Sequence, residues 1–485
     1  MDIKDKDLFR TQAYIDGEWV DADSGETFEV TNPANGETIA EVAKCGTGET
    51  RRAIDAAAKA WPAWREKPAG ERANILREWF RLMMDAQEDL ARIMTIEQGK
   101  PLAESRGEIA YGASYIEWFA EEAKRVYGDT IPAPANDKRI VVIKQPVGVV
   151  ACITPWNFPN AMLARKIAPA LAAGCTVVCK SANETPLSAL AMAVLAERAG
   201  VPAGVINLVN GITKEIGAEL TGNATIRKLT FTGSTQVGKL LIEQCAATVK
   251  RTSMELGGNA PFIVFDDADL EAAIKGAIIC KFRNAGQTCV CANRILVQDG
   301  IYDAFAEGLG KALGDLKLGN GLEEGVTIGP LINEKAANDV LAFVEDAVEK
   351  GAHVVAGGGR SDLGACFVEP TVLTDVNDGM RVFSEEIFGP VAPLFRFKTE
   401  EEAIEMANDT EFGLASYFYS RDIGRIWRVA EGLEYGIVGI NEGIISNPAA
   451  PFGGVKESGQ GREGSKYGLD DYLEIKYLCM GGLDR

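Results

Sequence analysis

At 485 residues, with 46% hydrophobic and 25% charged residues, the chain has the make-up of a soluble globular protein with two or three cores. Its net charge of −20 argues against nucleic acid and against anionic membrane surfaces as partners. One histidine, His353, leaves little room for Ser-His-Asp hydrolysis, histidine-ligated zinc or a Cys-His dyad, so any general base is expected to be a carboxylate.

In chain order, Met1 to Arg10 is too charged for a secretory leader. Residues 13–45 alternate apolar and polar between turn signals, which predicts short antiparallel strands. Helical periodicity runs from about Thr50 to Arg125, with one break at Pro68 to Gly70. Ile140 to Ile143 and Val147 to Ile153 read as strands split by Pro146. Regular alternation follows: helix near 160–173, strand 176–179, helix 186–199, strand 205–209, helix 214–221, strand 228–231, helix 235–246. Such alternation predicts a mainly parallel, doubly wound α/β sheet. Ala161 to Cys179 is the most apolar long stretch, but it carries Arg165, Lys166 and a proline, so no bilayer span is expected.

A second α/β series runs from Ala260 to about Tyr435, with helices near 270–285, 300–315, 334–350, 400–408 and 421–433. His353 reads as the start of an edge or surface strand. The tail, Tyr467 to Met480, returns to a strand-like pattern over Tyr472 to Leu478. Ten irregularly placed cysteines predict reduced thiols in a cytoplasmic protein. Cys289 and Cys291 form Cys-x-Cys without a second pair, so no structural metal is expected.

Two segments carry chemistry. Phe282-Arg-Asn-Ala-Gly-Gln-Thr-Cys-Val-Cys-Ala-Asn-Arg294 puts Cys289 after a polar, glycine-containing turn, six residues beyond Arg283. Met254-Glu-Leu-Gly-Gly-Asn-Ala-Pro-Phe262 sets Glu255 beside a glycine pair. A soft nucleophile and a carboxylate base suffice for covalent attack on a carbonyl and later hydrolysis. Thr154-Pro-Trp-Asn-Phe-Pro159 follows a strand end, where ligands of parallel sheets bind. There Asn157 either donates to an oxyanion or caps the next helix. Lys180, at another strand end, either meets a ribose or phosphate or is an exposed terminus. Gly233-Ser-Thr-Gln-Val-Gly-Lys239 nearly spells a P-loop, but Leu240 stands where a hydroxyl must bind magnesium. It remains suited to a pyrophosphate at a helix amino end. Gly459 to Gly464 fits G-x-G-x-x-G without a preceding strand and reads as a loop.

In order along nearly the whole chain, Thr154–Pro159, Phe231-Thr-Gly-Ser234, Glu255-Leu-Gly-Gly258, Gly286-Gln-Thr-Cys289, Glu386-Ile-Phe-Gly-Pro390 and Pro451-Phe-Gly-Gly454 resemble the aldehyde dehydrogenase superfamily. Phe282–Arg294 and Gly461-Arg-Glu-Gly-Ser-Lys-Tyr-Gly468 resemble its succinate-semialdehyde dehydrogenases. The resemblance implies a Rossmann-like cofactor domain (residues 1–127 and 146–255), an α/β catalytic domain (256–455) and a small β oligomerisation arm (128–145 and 456–485) in a homodimer or homotetramer.

It further implies NAD(P)-dependent oxidation of succinate semialdehyde to succinate, with glutarate semialdehyde or another ω-carboxylated aldehyde as the competing substrate. Cys289 would form a thiohemiacetal and then a thioester, Asn157 and the Cys289 amide would hold the oxyanion, and Glu255 would activate the hydrolytic water. Trp156, Asn157, Lys180, Ser181, Ala182, Asn183, Gly233, Ser234, Leu256, Glu386 and Phe388 would contact the dinucleotide. Asn183 is neutral where NAD-preferring relatives commonly carry glutamate, which favours NADP over NAD; Ser181 and Glu184 pull the other way. Arg165 and Arg283, with Ser446, would hold the distal carboxylate. Cys291 is either a redox partner for Cys289 or a packed small residue.

Overall fold

The computed structural model describes residues 1–483. Val149–Ile153 and Ala260–Val264 are short runs buried along almost their whole length, the signature of parallel strands covered on both faces. Each seeds its own sheet. The first has eight strands in the order 459–460, 251–255, 226–232, 149–153, 176–180, 206–208, 13–15, 18–20. Its five inner strands are parallel, while 459–460 and the hairpin 13–20 join antiparallel. The second has seven strands in the order 353–356, 371–374, 391–397, 292–298, 260–264, 415–419, 437–440, all parallel except 353–356. His353 lies on that edge strand, exposed, 3.2 Å from Asp375. The doubly wound α/β architecture is as the alternation predicts.

The helical region differs in detail. It comprises Thr47–Glu66, Ala69–Asp85, Gln87–Gln98 and Leu102–Glu122, so the chain breaks three times rather than once. The break near residue 86 lacks Gly or Pro and leaves no mark in composition. That at Gly99 does, since its φ of +96° is left-handed and a Cβ there would lie 2.8 Å from Pro330. Helix Ala161–Ala173 is buried on every side, Arg165 and Lys166 included, which accounts for its high hydropathy. Among the described residues no helix is long and apolar enough to cross a membrane.

A third sheet of three antiparallel strands joins Asp129–Ile131, Arg139–Pro146 and Leu473–Met480. Of residues 456–483, only this last strand enters that sheet. Gly459–Gln460 closes the edge of the first sheet, and Leu469 and Tyr472 pack into its core. Between Glu255 and Ala260 the chain crosses from one large sheet to the other in four residues, and the candidate site lies at this crossing.

Candidate active site

Strand register aligns the carboxyl ends of the first sheet. Lys180 pairs with Ile153, Ile153 with Phe231 by way of the next strand, and Thr232 with Glu255. The segments that leave these ends, 154–160, 181–183, 233–234 and 256–258, therefore gather along one edge. The second sheet contributes the loop between helix Leu270–Phe282 and strand Ala292–Gln298.

That loop is held in an uncommon backbone conformation. Asn284, Ala285 and Gly286 have φ of 52°, 54° and 76°, three left-handed residues in succession. Gly286 must be glycine, because a Cβ would sit 2.2 Å from the Gly389 carbonyl. Asn284 is fixed at each end: its N–H donates to Glu104 Oε2 (2.8 Å), its Nδ2 donates to the Asn157 carbonyl (3.0 Å), and Gln98 Nε2 donates to its Oδ1 (3.0 Å). Gln287 is clamped by its own Nε2 on the Asn284 carbonyl (3.0 Å) and by the Ile332 N–H on its Oε1 (2.9 Å). Two residues on, Cys289 emerges half-buried. Gly258 makes room for it, since a Cβ there would lie 2.6 Å from the Cys289 carbonyl.

Asn157 is not the cap of the next helix. The cap position is Asn160, and Glu108 Oε1 accepts the N–H groups of Asn160 and Ala161 at 3.0 and 3.1 Å. Asn157 instead donates Nδ2 to the Gln287 carbonyl (2.9 Å), which ties it to the Cys289 loop and leaves its second amide hydrogen available. Its backbone carbonyl also accepts Lys100 Nζ at 2.7 Å. The main chain is thus anchored by Lys100 and the side-chain amide by its Nδ2 alone, with Oδ1 unpartnered.

Two cavities meet at Cys289. One, of about 230 Å³, is lined by Trp156, Asn157, Gly233, Ser234, Leu256, Glu386 and Phe388. Trp156 and Phe388 stack edge to face at 5.7 Å, Glu386 Oε1 accepts the Gly258 N–H at 3.1 Å, and burial raises the Glu386 pKa to about 7. The other, of about 270 Å³, is lined by Arg165, Arg283, Ser446, Phe158 and Phe452 among others. Arg283 and Arg165 lie over the rings of Phe158 and Phe452, at 5.4 and 3.9 Å. Lys180, Ser181, Ala182 and Asn183 line neither cavity. They form a separate polar corner at the neighbouring strand end, where Lys180 Nζ donates to the Ser181 carbonyl (2.9 Å) and Asn183 Nδ2 to the Gly211 carbonyl (2.8 Å). Burial lowers the Lys180 pKa to about 8.

Glu255 lines neither cavity. It is buried, with Oε2 unpartnered, beside a cluster of Arg165, Lys166 and Glu463 in which Glu463 lies 2.6 Å from Arg165 and 2.5 Å from Lys166. Burial and then the charge of Glu463 raise the proton affinity of Glu255 well above that of an ordinary carboxylate. Glu463 is held below the usual range because its two cations outweigh burial. A carboxylate in this state suits proton abstraction. Burial also raises the Cys289 thiol to about 12, opposed by Arg165 and Arg283.

Residues 19–478 match the family model for the aldehyde dehydrogenase family. The chain belongs to the aldehyde dehydrogenase family. It is 65% identical over 483 residues to a glutarate-semialdehyde dehydrogenase of Pseudomonas aeruginosa, covering 100% of both chains. It is 63% identical to a 3-sulfolactaldehyde dehydrogenase of Pseudomonas putida, again over 100% of both. With the NADP(+) succinate-semialdehyde dehydrogenase GabD of Escherichia coli it shares 64% over 99% of this chain and 100% of the other. A solved E. coli NADP-dependent enzyme superposes with a TM-score of 0.98 at 64% identity, over 99% of this chain and 100% of that one.

Within this aldehyde dehydrogenase the near-P-loop does not hold a catalytic lysine, because Lys239 is exposed and ion-paired with Glu457, and Leu240 is exposed. Cys291 is buried and donates its thiol to the Lys281 carbonyl at 3.2 Å, a bond that pairing with Cys289 would break. Sequence reasoning passed over Lys100, Glu104, Glu108 and Glu463. Lys100, Glu104 and Glu108 lay in a region read only for helical periodicity, and Glu463 in a glycine segment set aside as a loop.

Proposed function

We propose that the protein oxidises short aldehydes bearing a terminal anionic group, succinate semialdehyde first and glutarate semialdehyde as its competitor, with NADP+ preferred over NAD+. One observation carries the substrate class. Arg283 lines the same cavity as Cys289, and among the described residues no carboxylate lies within 4.0 Å of it, so an uncommitted guanidinium faces the space behind the thiol. A half-buried cation without a counter-ion gains from an anionic ligand. The relatives named for succinate, glutarate and sulfolactaldehyde chemistry support the same class. One methylene alters binding by only about 1–3 kcal/mol, so chain length is the finer question.

In this reading the Cys289 thiolate attacks the aldehyde carbon, and the free hydrogen of the Asn157 amide together with the Cys289 N–H stabilises the oxyanion. Such a donor is worth about 3–4 kcal/mol. The dinucleotide, when bound, supplies the hydride acceptor. Trp156, Phe388, the Gly233–Ser234 turn and Glu386 fit it: a Cβ on Gly257 would lie 2.9 Å from Glu386 Oε2, so the bare backbone keeps that wall open. Glu255 then takes a proton from the water that hydrolyses the Cys289 thioester. Lys180 and the neutral Asn183 support the NADP+ preference, since neither repels a 2′-phosphate.

The ten cysteines are all unpaired, which supports a reducing, cytoplasmic setting. The exposed Ile475 and Tyr477 on the third sheet support a homodimer or homotetramer. Steady-state kcat/KM for succinate semialdehyde, glutarate semialdehyde and butanal with each dinucleotide tests the proposal. Equal values for butanal and the semialdehydes would remove the substrate reading, and a much higher value with NAD+ would remove the cofactor reading.

A further inference from the structure

The cavity behind Cys289 holds five charged side chains, and they are unevenly paired. Lys100 is bonded to Glu108 at 2.6 Å, and Arg165 lies 2.6 Å from Glu463. Two remain uncommitted. Among the described residues Arg283 has no ion pair, and the only hydrogen bond to the Glu104 side chain is the Asn284 N–H on Oε2 at 2.8 Å. A carboxylate therefore shares a confined space with the guanidinium that faces the substrate, and its second oxygen is free.

We propose that Glu104 takes up a proton when an anionic tail binds beside Arg283, so that selection between anionic and neutral aldehydes depends on pH. The proposal rests on reading this cavity as the tail site. Two carboxylates in one poorly solvated cavity cannot both stay ionised cheaply, and one proton shared between them removes the repulsion. A protonated Glu104 then donates through its O–H to the tail, while Arg283 donates through its guanidinium. The proton comes from solvent and returns to it when the product leaves.

The surroundings of Glu104 favour this. Burial is the largest influence and raises its proton affinity; Lys100 and Arg283 oppose it, and Glu108 reinforces it. Tyr111 on its own helix, Arg165 on helix Ala161–Ala173 and Cys289 on the nucleophile loop also face the cavity. Guanidinium groups stay charged across the neutral range. Cys289 and Glu255 titrate, but charged and uncharged substrates need them equally, so they cancel from a ratio of KM values.

The test compares KM for succinate semialdehyde and butanal from about pH 6 to 9, in the parent and in Glu104→Gln. Glutamine keeps the size of the side chain and can still accept the Asn284 N–H, but it carries no titrating charge. In the parent the ratio of KM (semialdehyde) to KM (butanal) should rise about tenfold as Glu104 ionises. In Glu104→Gln it should stay flat, near the parent's low-pH value. A flat ratio in a parent that still prefers the semialdehyde overturns the Glu104 role alone. An equal pH dependence in parent and variant also overturns it and moves the effect to Lys100. A parent with no preference at any pH overturns the tail-site reading itself. If Glu104→Gln does not fold, calorimetry of succinate binding to the parent in buffers of different ionisation enthalpy decides: proton uptake near neutral pH is expected, and its absence refutes the proposal.

Discussion

The two cavities that meet at Cys289 are nearly equal in size and differ in how many charged side chains they hold, five in one and one in the other. The one proposed for the dinucleotide is made of backbone and apolar surface: Gly233, Gly257, Leu256, Trp156 and Phe388, with Glu386 as its one carboxylate. The one proposed for the substrate tail carries five charges, Lys100, Glu104, Glu108, Arg165 and Arg283, brought from three separate segments and set among aromatic and apolar side chains. A cofactor common to many enzymes needs close approach, which missing side chains provide. A particular substrate needs a charge balance, which only a specific set of side chains provides.

The largest expected effect tests the thiol the cavities share. Cys289→Ser should lower kcat on the order of 10⁴-fold or more, measured as reduced dinucleotide formed, because a hydroxyl here has no adjacent base to ionise it. Asn157→Ala should cost about 10²–10³ in kcat with little change in KM, since the amide acts on charge that appears only during reaction. A KM effect alone would assign Asn157 to the substrate pocket instead.

Arg283→Ala separates the two cavities. KM for succinate semialdehyde should rise about 10–100-fold, in line with a lost charge-assisted bond, while KM for butanal and for the dinucleotide stays unchanged. Equal losses for both aldehydes would erase the distinction. The shared thiol also predicts a pH response. Burial keeps Cys289 protonated at neutral pH, so in the free enzyme the iodoacetamide alkylation rate should climb about tenfold per pH unit up to at least pH 9. A plateau near pH 7 would show that Arg165 and Arg283 outweigh burial. The smallest effect concerns the corner outside both cavities: Lys180→Ala should weaken NADP+ binding about tenfold and leave NAD+ nearly unaffected, read by equilibrium titration of each.

The contrast also shows what was legible in the chain. The residues proposed for the cofactor and the proposed nucleophile lie in contiguous segments beside strand ends or turns, so Trp156, Asn157, Gly233, Glu255 and Cys289 could be proposed from sequence, and the structure brings Trp156, Asn157, Gly233 and Cys289 to one cavity. Arg165 and Arg283 were proposed through family likeness, but their difference was not: one is ion-paired with Glu463, nearly three hundred positions away, and the other has no ion pair among the described residues. Glu104 sits in an amphipathic helix and looks there like any solvated glutamate. Only its contact with the Asn284 amide marks it out.

Sequence alone determined the two α/β series and the carboxyl-end placement of the motifs, and it supplied the proposal of a thiol-and-carboxylate chemistry in a chain with one histidine. These follow from local periodicity, turn residues and side-chain reactivity, all of which act over a few positions. Tertiary structure decided which charges are spent and which are free, that Glu255 faces the buried Glu463 cluster, and that three left-handed residues aim Cys289. These depend on segments far apart in the chain packing against one another, because the strength of a charge or a strained backbone is set by what surrounds it.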